Sequence, residues 1–243
     1  MGKTADRWHE YPMSKLKSVL GSAPCVVGTI HSEASLRRAL RLRPGSVDLL
    51  ELRVDHFAQD PGILLRKIER LAFPLLVTAR HPAEGGANEL SFARRGALLM
   101  QFLPFARVID VELRSAKRLG SVLAMARTHG VEVVLSHHDF RATPSPSRLE
   151  TLQRSAKAAG ADIFKVAALT STPRDLSSLL SLLSNRSKLP LSVMGMGALG
   201  KVSRLVFAEA GSVLNYGYLD RPNASGQWEA TLLKQRLKEL REE

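Results

Sequence analysis

The chain alternates short, nearly continuous apolar runs with longer amphipathic stretches. The apolar runs cover residues 25–30, 49–55, 74–80, 108–113, 131–138, 162–169, 191–196 and 212–218. Each is of strand length and rich in Val, Ile and Leu, the pattern of strands buried on both faces of a parallel sheet. The stretches between them carry helical spacing. Over 147–160, Leu149, Leu152, Ala156 and Ala159 recur on one face; Ser147 and Glu150 are spaced as a capping box, and Gly160 is a stop. Asp60-Pro61 and Thr172-Pro173 each read as an N-cap followed by proline in the first turn. Gly130 closes a helical stretch that begins at Ser115, and a last helix is expected over 227–240. Eight strands, each followed by a helix, fit either a closed (β/α)8 TIM barrel or an open doubly wound sheet. No composition break or linker marks a second domain, so residues 1–243 read as one domain, with 1–24 a short N-terminal extension.

Polar residues gather at the C-terminal ends of these runs. The second ends Glu51-Leu52-Arg53-Val54-Asp55, the third Thr78-Ala79-Arg80, and the fourth holds Asp110 and Glu112. The fifth ends Ser136-His137-His138-Asp139, the sixth contains Lys165, the seventh ends Met194-Gly195-Met196, and the eighth ends Asn215-Tyr216. Alternate strand residues share a face, so Glu51 with Arg53, Ser136 with His138, and Ile163 with Lys165 and Ala167 form three such rows. A closed barrel brings rows like these together at its C-terminal mouth, where barrel active sites lie; an open sheet gathers only the strands beside its switch point. Polar ends on so many strands favour closure.

Lys165 sits within Ile163-Phe164-Lys165-Val166-Ala167. Desolvation there favours the neutral amine, a nucleophile for carbonyls; a structural ion pair with a carboxylate explains the same pattern, and both readings stay open. His138 is suited to acid–base chemistry, although a strand-end histidine can simply be hydrogen-bonded. His137 and His138 are adjacent and face opposite ways, and no metal-ligand spacing accompanies them, so no metal is expected. Glu84-Gly85-Gly86 can turn sharply and carry Glu84 over the mouth.

Composition narrows the classes. The formal net charge is +12, but Arg37, Arg38, Arg41, Arg43, Arg94, Arg95 and the basic residues from Lys234 to Arg241 are scattered, and aromatic residues make up only 5%. This reads as a solvated basic surface that gathers an anionic metabolite, without a nucleic-acid partner. The single Cys25 excludes a disulfide framework within the chain. Residues 1–10 have no apolar core of a secretory signal, Asp6 stands where a myristoylation motif after Gly2 needs Ser or Thr, and no run is long enough to span a bilayer. The protein is read as cytoplasmic, with no membrane partner. Gly195-Met196-Gly197-Ala198-Leu199-Gly200, with Asp220 further on, formally matches a dinucleotide fingerprint. It lies in the last βαβ unit, where no further half of a dinucleotide fold can follow. We read its glycines instead as letting the chain approach a carboxylate, with Arg204 supplying charge.

In combination these segments resemble the type I 3-dehydroquinate dehydratases. The matching pieces are Glu51-Leu52-Arg53-Val54-Asp55; Thr78-Ala79-Arg80 with Glu84-Gly85-Gly86; Asp110-Val111-Glu112; Ser136-His137-His138-Asp139-Phe140 with Thr143-Pro144; Phe164-Lys165-Val166-Ala167; Met194-Gly195-Met196 through Gly200 to Ser203-Arg204; and Gly226-Gln227. The resemblance implies a (β/α)8 barrel, a homodimer, no cofactor, and syn elimination of water from 3-dehydroquinate in the shikimate pathway. It implies that Lys165 forms a Schiff base with the C3 ketone, that His138 removes the C2 proton and then protonates the departing C1 hydroxyl, and that Glu84 orients His138. Arg204 would hold the substrate carboxylate; Glu51, Arg53, Arg80 and Gln227 would bind hydroxyls; Met194 and Met196 would pack on the ring. The chain departs from the family pattern at Gly28, where Thr29 would stand in for a serine, at His137, and in Asn223-Ala224-Ser225-Gly226-Gln227, where Asn223 keeps a hydrogen-bonding group but a missing proline loosens the loop. A Schiff-base aldolase is the nearest other reading; a nicotinamide oxidoreductase and a basic binding protein are the others.

Overall fold

The computed structural model describes residues 24–184 and 189–242. The expectations for residues 1–10 and for an extension over 1–23 lie outside the described residues. Eight parallel strands alternate with eight helices. They run β1 (Cys25–Ile30), α1 (Glu33–Ala39), β2 (Leu49–Arg53), α2 (Pro61–Ile68), β3 (Leu75–Thr78), α3 (Phe92–Phe102), β4 (Ala106–Glu112), α4 (Gly120–Thr128), β5 (Glu132–Asp139), α5 (Pro146–Ala158), β6 (Ile163–Leu169), α6 (Pro173–Ser184), β7 (Leu191–Met196), α7 (Gly200–Glu209), β8 (Leu214–Tyr218) and α8 (Ala230–Glu239).

The strands pair in the order β7-β6-β5-β4-β3-β2-β1-β8. The seam between β7 and β8 closes the ring through different bonds: Val213 N–H donates to Leu191 O at 2.8 Å, Val193 N–H to Ser212 Oγ at 2.9 Å, and Ser192 Oγ to Leu214 O at 2.7 Å. Two serine hydroxyls thus satisfy groups that a regular ladder would otherwise pair. The result is a nearly closed (β/α)8 barrel, as the alternation and the polar strand ends predict.

Period-two alternation divides the apolar residues into two cores. Leu50, Leu52, Val77, Ile109, Val111, Leu135, Phe164, Val166 and Val193 face outward and pack beneath the helices. Cys25, Val27, Leu49, Leu76, Val108, Val134, Ile163 and Leu214 face inward and fill the barrel with side chains. Burial pushes the Cys25 thiol up to about 12, with Asp48 adding to the shift, so this cysteine packs as a small apolar group.

Local signals fix most helix starts. Asp60 caps α2, accepting from Ile63 N–H, with Pro61 in the first turn. Thr172 Oγ1 accepts from Asp175 N–H at 3.3 Å, and Asp175 answers through Thr172 N–H at 2.9 Å. Three expectations move. The cap of α5 is Ser145, which accepts from Arg148 N–H; Pro146 has no N–H to cap and takes the first helical position, leaving Ser147 inside the turn. Residues 113–115 form a separate short 3-10 turn before α4. Helix α8 starts at Ala230 behind its cap Glu229, because the Gln227 side chain is used to brace the preceding loop.

Candidate active site

Above the inner apolar layer, the same inward rows turn polar. Thr29, Glu51, Arg53, Thr78, Arg80, Asp110, Glu112, Ser136 and Lys165 are all buried at the C-terminal half of the barrel. A charge costs heavily there unless it is paired, and these side chains pair across strands. Lys165 Nζ donates to Asp110 Oδ2 at 2.9 Å. Arg80 holds the same carboxylate with two bonds, 3.1 and 2.8 Å, and also donates to Glu112 at 3.2 Å and Ser136 Oγ at 2.7 Å. Ser136 in turn donates to Asp110 Oδ1 at 2.6 Å. Glu112 closes the ladder on the buried Arg95 guanidinium. Glu51 accepts from Thr29 and Thr78, each at 3.0 Å, and lies 3.9 Å from Arg80.

Electrostatics follow from this arrangement. Burial alone would raise the Asp110 carboxyl, but Arg80 and Lys165 more than reverse that and hold it well below the usual carboxylate range. Lys165 is lowered: its own burial outweighs the opposing pull of Asp110 and Glu51. The barrel therefore holds an amine that gives up its proton more readily than a surface lysine, the condition for attack on a carbonyl.

His138 faces the mouth from β5, the neighbour of β6; in that ladder Ser136 pairs with Lys165 and His138 with Ala167. Glu84, in a short 3-10 turn after β3, is buried and reaches over to it. One carboxylate oxygen accepts from His138 N–H and shares a hydrogen bond with ring Nδ1, each at 3.0 Å. The turn depends on its glycines: Gly85 has φ +82°, and a Cβ on Gly86 would lie 2.2 Å from Arg80 O. Burial lowers His138 well below the ordinary imidazole range, with Arg80 and Lys165 adding to it. Burial raises Glu84 to about 7. When Glu84 is ionised the ring donates from Nδ1, and Nε2 is left with its lone pair.

Other expected residues hold the wall. Arg53 donates twice to Asp55 and once to Gly85 O, tying the turn after β2 to the Glu84 turn. Met194 and Met196 are buried on the inward face of β7. Arg204 lies behind the mouth, its four bonds all going to carbonyl oxygens of Tyr216, Gly195, Gly200 and Gly226. No carboxylate among the described residues pairs with it, and burial brings it down to about 10. Gln227 Oε1 accepts from Asn223 N–H at 2.9 Å and Ala224 N–H at 3.3 Å, and Gly197 N–H donates to Ser225 O at 3.0 Å. The β8–α8 loop is thus pinned even without its proline, with the Asn223 side chain exposed at its rim. The glycines of 195–200 serve this packing. A Cβ on Gly195 would meet Ser203 Oγ at 2.7 Å, and one on Gly200 would meet the Gly226 main chain at 2.8 Å.

Sequence reasoning gave no role to Asp110, the group that joins Lys165 to Arg80, or to Ser136 and Tyr216. Their signal was the inward parity shared with the assigned residues. Among the described residues, no group of three or more His, Cys, Asp or Glu is placed to hold a metal ion.

A filled parallel barrel whose mouth gathers a buried lysine, ion-paired to Asp110, and a histidine–carboxylate pair has the form of a (β/α)8-barrel enzyme site. The family profile described as Type I 3-dehydroquinase matches residues 24–243. The 3-dehydroquinate dehydratase of Methanocella arvoryzae is 35% identical over 207 residues, covering 84% of this chain and 91% of its own. The catabolic 3-dehydroquinate dehydratase of Acinetobacter baylyi is 32% identical over 204 residues, covering 79% and 75%. Among solved structures, the 3-dehydroquinate dehydratase of Geobacillus kaustophilus superposes with TM-score 0.83 at 29% identity, over 91% of this chain and 92% of that one. The type I enzyme of Clostridium difficile, with covalently modified comenic acid, gives 0.82 at 25%, over 90% and 93%. The chain belongs to the type I 3-dehydroquinase family, and it is a hydro-lyase.

Proposed function

We propose that this protein converts 3-dehydroquinate to 3-dehydroshikimate through a Schiff base on Lys165. The observation that carries the reading is the buried Lys165 amine, bonded to Asp110 and one strand from the His138–Glu84 pair. The neutral amine adds to the C3 ketone, and loss of water from the carbinolamine leaves an iminium. His138 Nε2 takes the C2 proton, and the released electron pair passes to nitrogen as an enamine. The enamine then expels the C1 hydroxyl, which leaves as water with the proton His138 has just taken. Because one base serves both steps from one face, the elimination is syn. Hydrolysis of the conjugated iminium returns the lysine. Arg204 draws the substrate carboxylate with Asn223 at the rim; Glu51, Arg53, Arg80, Gln227 and Thr29 form the hydroxyl-binding wall, and Met194 and Met196 the apolar floor. The shikimate pathway, a homodimer and the cytoplasm complete the reading.

Borohydride reduction with 3-dehydroquinate, followed by peptide mapping, tests it. A stable adduct on Lys165 is expected, and Lys165→Ala should lose both the adduct and nearly all turnover. Substantial turnover by that variant would sink the Schiff-base route.

A further inference from the structure

Tyr216 is used by none of the roles above. It lies on the inward face of β8 with the barrel-filling residues, and it is 3% exposed. Lys165 Nζ sits 3.8 Å from the centroid of its ring. Its hydroxyl is buried and has no hydrogen-bond partner among the described residues. The contact with Lys165 is therefore made by the ring face and not by the hydroxyl.

The charged groups acting on Lys165 are Asp110 from β4, Glu51 from β2, Arg80 from the end of β3 and His138 from β5. Asp110 is shared: it already accepts two bonds from Arg80. The aromatic face of β8 is a second, uncontested electron-rich surface against the nitrogen. We propose that Tyr216 is a positioning residue for Lys165, its ring face seating positive charge at Nζ both as the ammonium of the free enzyme and as the iminium after a ketone has joined. The iminium half rests on the Schiff-base reading; the ammonium half does not. An ammonium has three N–H groups to offer Asp110, whereas the iminium formed by loss of water keeps one. The iminium is planar and delocalised, as a guanidinium is, and suits an aromatic face. The ring contact survives the change in bonding better than the hydrogen bonds do.

The test replaces Tyr216 with Phe and then with phenylalanines carrying one, two and three ring fluorines, which drain the ring face while nearly keeping its shape. Pulse labelling of Lys165 with acetic anhydride across pH, read by peptide mass mapping without substrate, gives the midpoint of its titration. Tyr216→Phe should keep that midpoint. The fluorine series should lower it step by step, by about one pH unit in all, because the charged form loses its support. Borohydride trapping with 3-dehydroquinate above that midpoint, where the free amine is neutral, should then fall in the same order. A flat fluorine series, or a midpoint moved by Tyr216→Phe alone, would overturn the proposal. A graded labelling series with no adduct on wild-type Lys165 would uphold the ammonium role and overturn the iminium role together with the Schiff-base reading.

Discussion

His138 and Glu84 meet through one carboxylate oxygen, and burial disfavours the charged form of both. For a base this has a definite sign. An imidazole held below its ordinary value stays neutral, and so able to accept a proton, as pH falls through that value. The acid limb of kcat/KM, which reports the free enzyme, should therefore lie below the free-histidine pKa of about 6.5. A pH profile of kcat/KM checks this, and a limb at about 7, where burial puts Glu84, would mean that protonation of Glu84 and not of His138 limits the rate. His138→Ala should lose about 10²- to 10⁴-fold in kcat, the usual contribution of a positioned base, while slow borohydride trapping at Lys165 persists. Near-wild-type turnover would send the search to another base. Lys165 stands out in the sequence because it interrupts an apolar strand, and His138 because it lies in the polar end of another; the residues alone left a structural ion pair and a hydrogen-bonded histidine open. The bond from Lys165 to Asp110 was not legible there, since it joins residues 55 positions apart.

Individual elements contribute through their edges. The strands are specified by their apolar runs, and two of the eight, β1 and β7, begin and end where the pattern places them. The others differ by a few residues at their ends. Asp55 and Arg80 lie beyond the ladders of β2 and β3 because their side chains are spent on cross-links: Asp55 accepts from Arg53 and from Ala87 N–H, and Arg80 reaches β4 and β5. The meeting of the β7–α7 and β8–α8 loops is a matter of backbone contact. Gly200→Ala places a methyl against Gly226, and overpacking of this kind costs about 1–3 kcal/mol. It should also push the loop bearing Asn223 and Gln227 away from the mouth, so that KM rises by a larger factor than kcat falls. Steady-state kinetics beside urea melts separate the two effects; unchanged KM would show that the loop does not touch substrate.

For the whole molecule, the net charge is +12, and under the proposed function the buried guanidinium of Arg204 takes the substrate carboxylate. A positive field concentrates an anionic substrate, and salt screens it. Between about 20 mM and 500 mM sodium chloride, kcat/KM for 3-dehydroquinate should fall roughly threefold or more, with kcat much less affected. A salt-independent kcat/KM would leave the surface charge without a part in substrate capture.

The alternation of apolar runs and amphipathic stretches determined the eight strand–helix units, because period-two and helical spacings are properties of neighbouring residues, and the polar ends of so many strands favoured a closed barrel over an open sheet. Parity likewise put Glu51 with Arg53, Ser136 with His138, and Ile163 with Lys165 on three rows that closure brings together. Only the tertiary structure decided how these charges are shared. It gave Asp110 both to Lys165 and to Arg80, set Glu84 on His138, packed Gly197 and Gly200 against the β8–α8 loop, and laid the Tyr216 ring against Lys165 Nζ. The physical reason is closure. Bending eight strands into a ring brings residues far apart in sequence to within hydrogen-bonding distance, and burial then decides which partners each charge must keep.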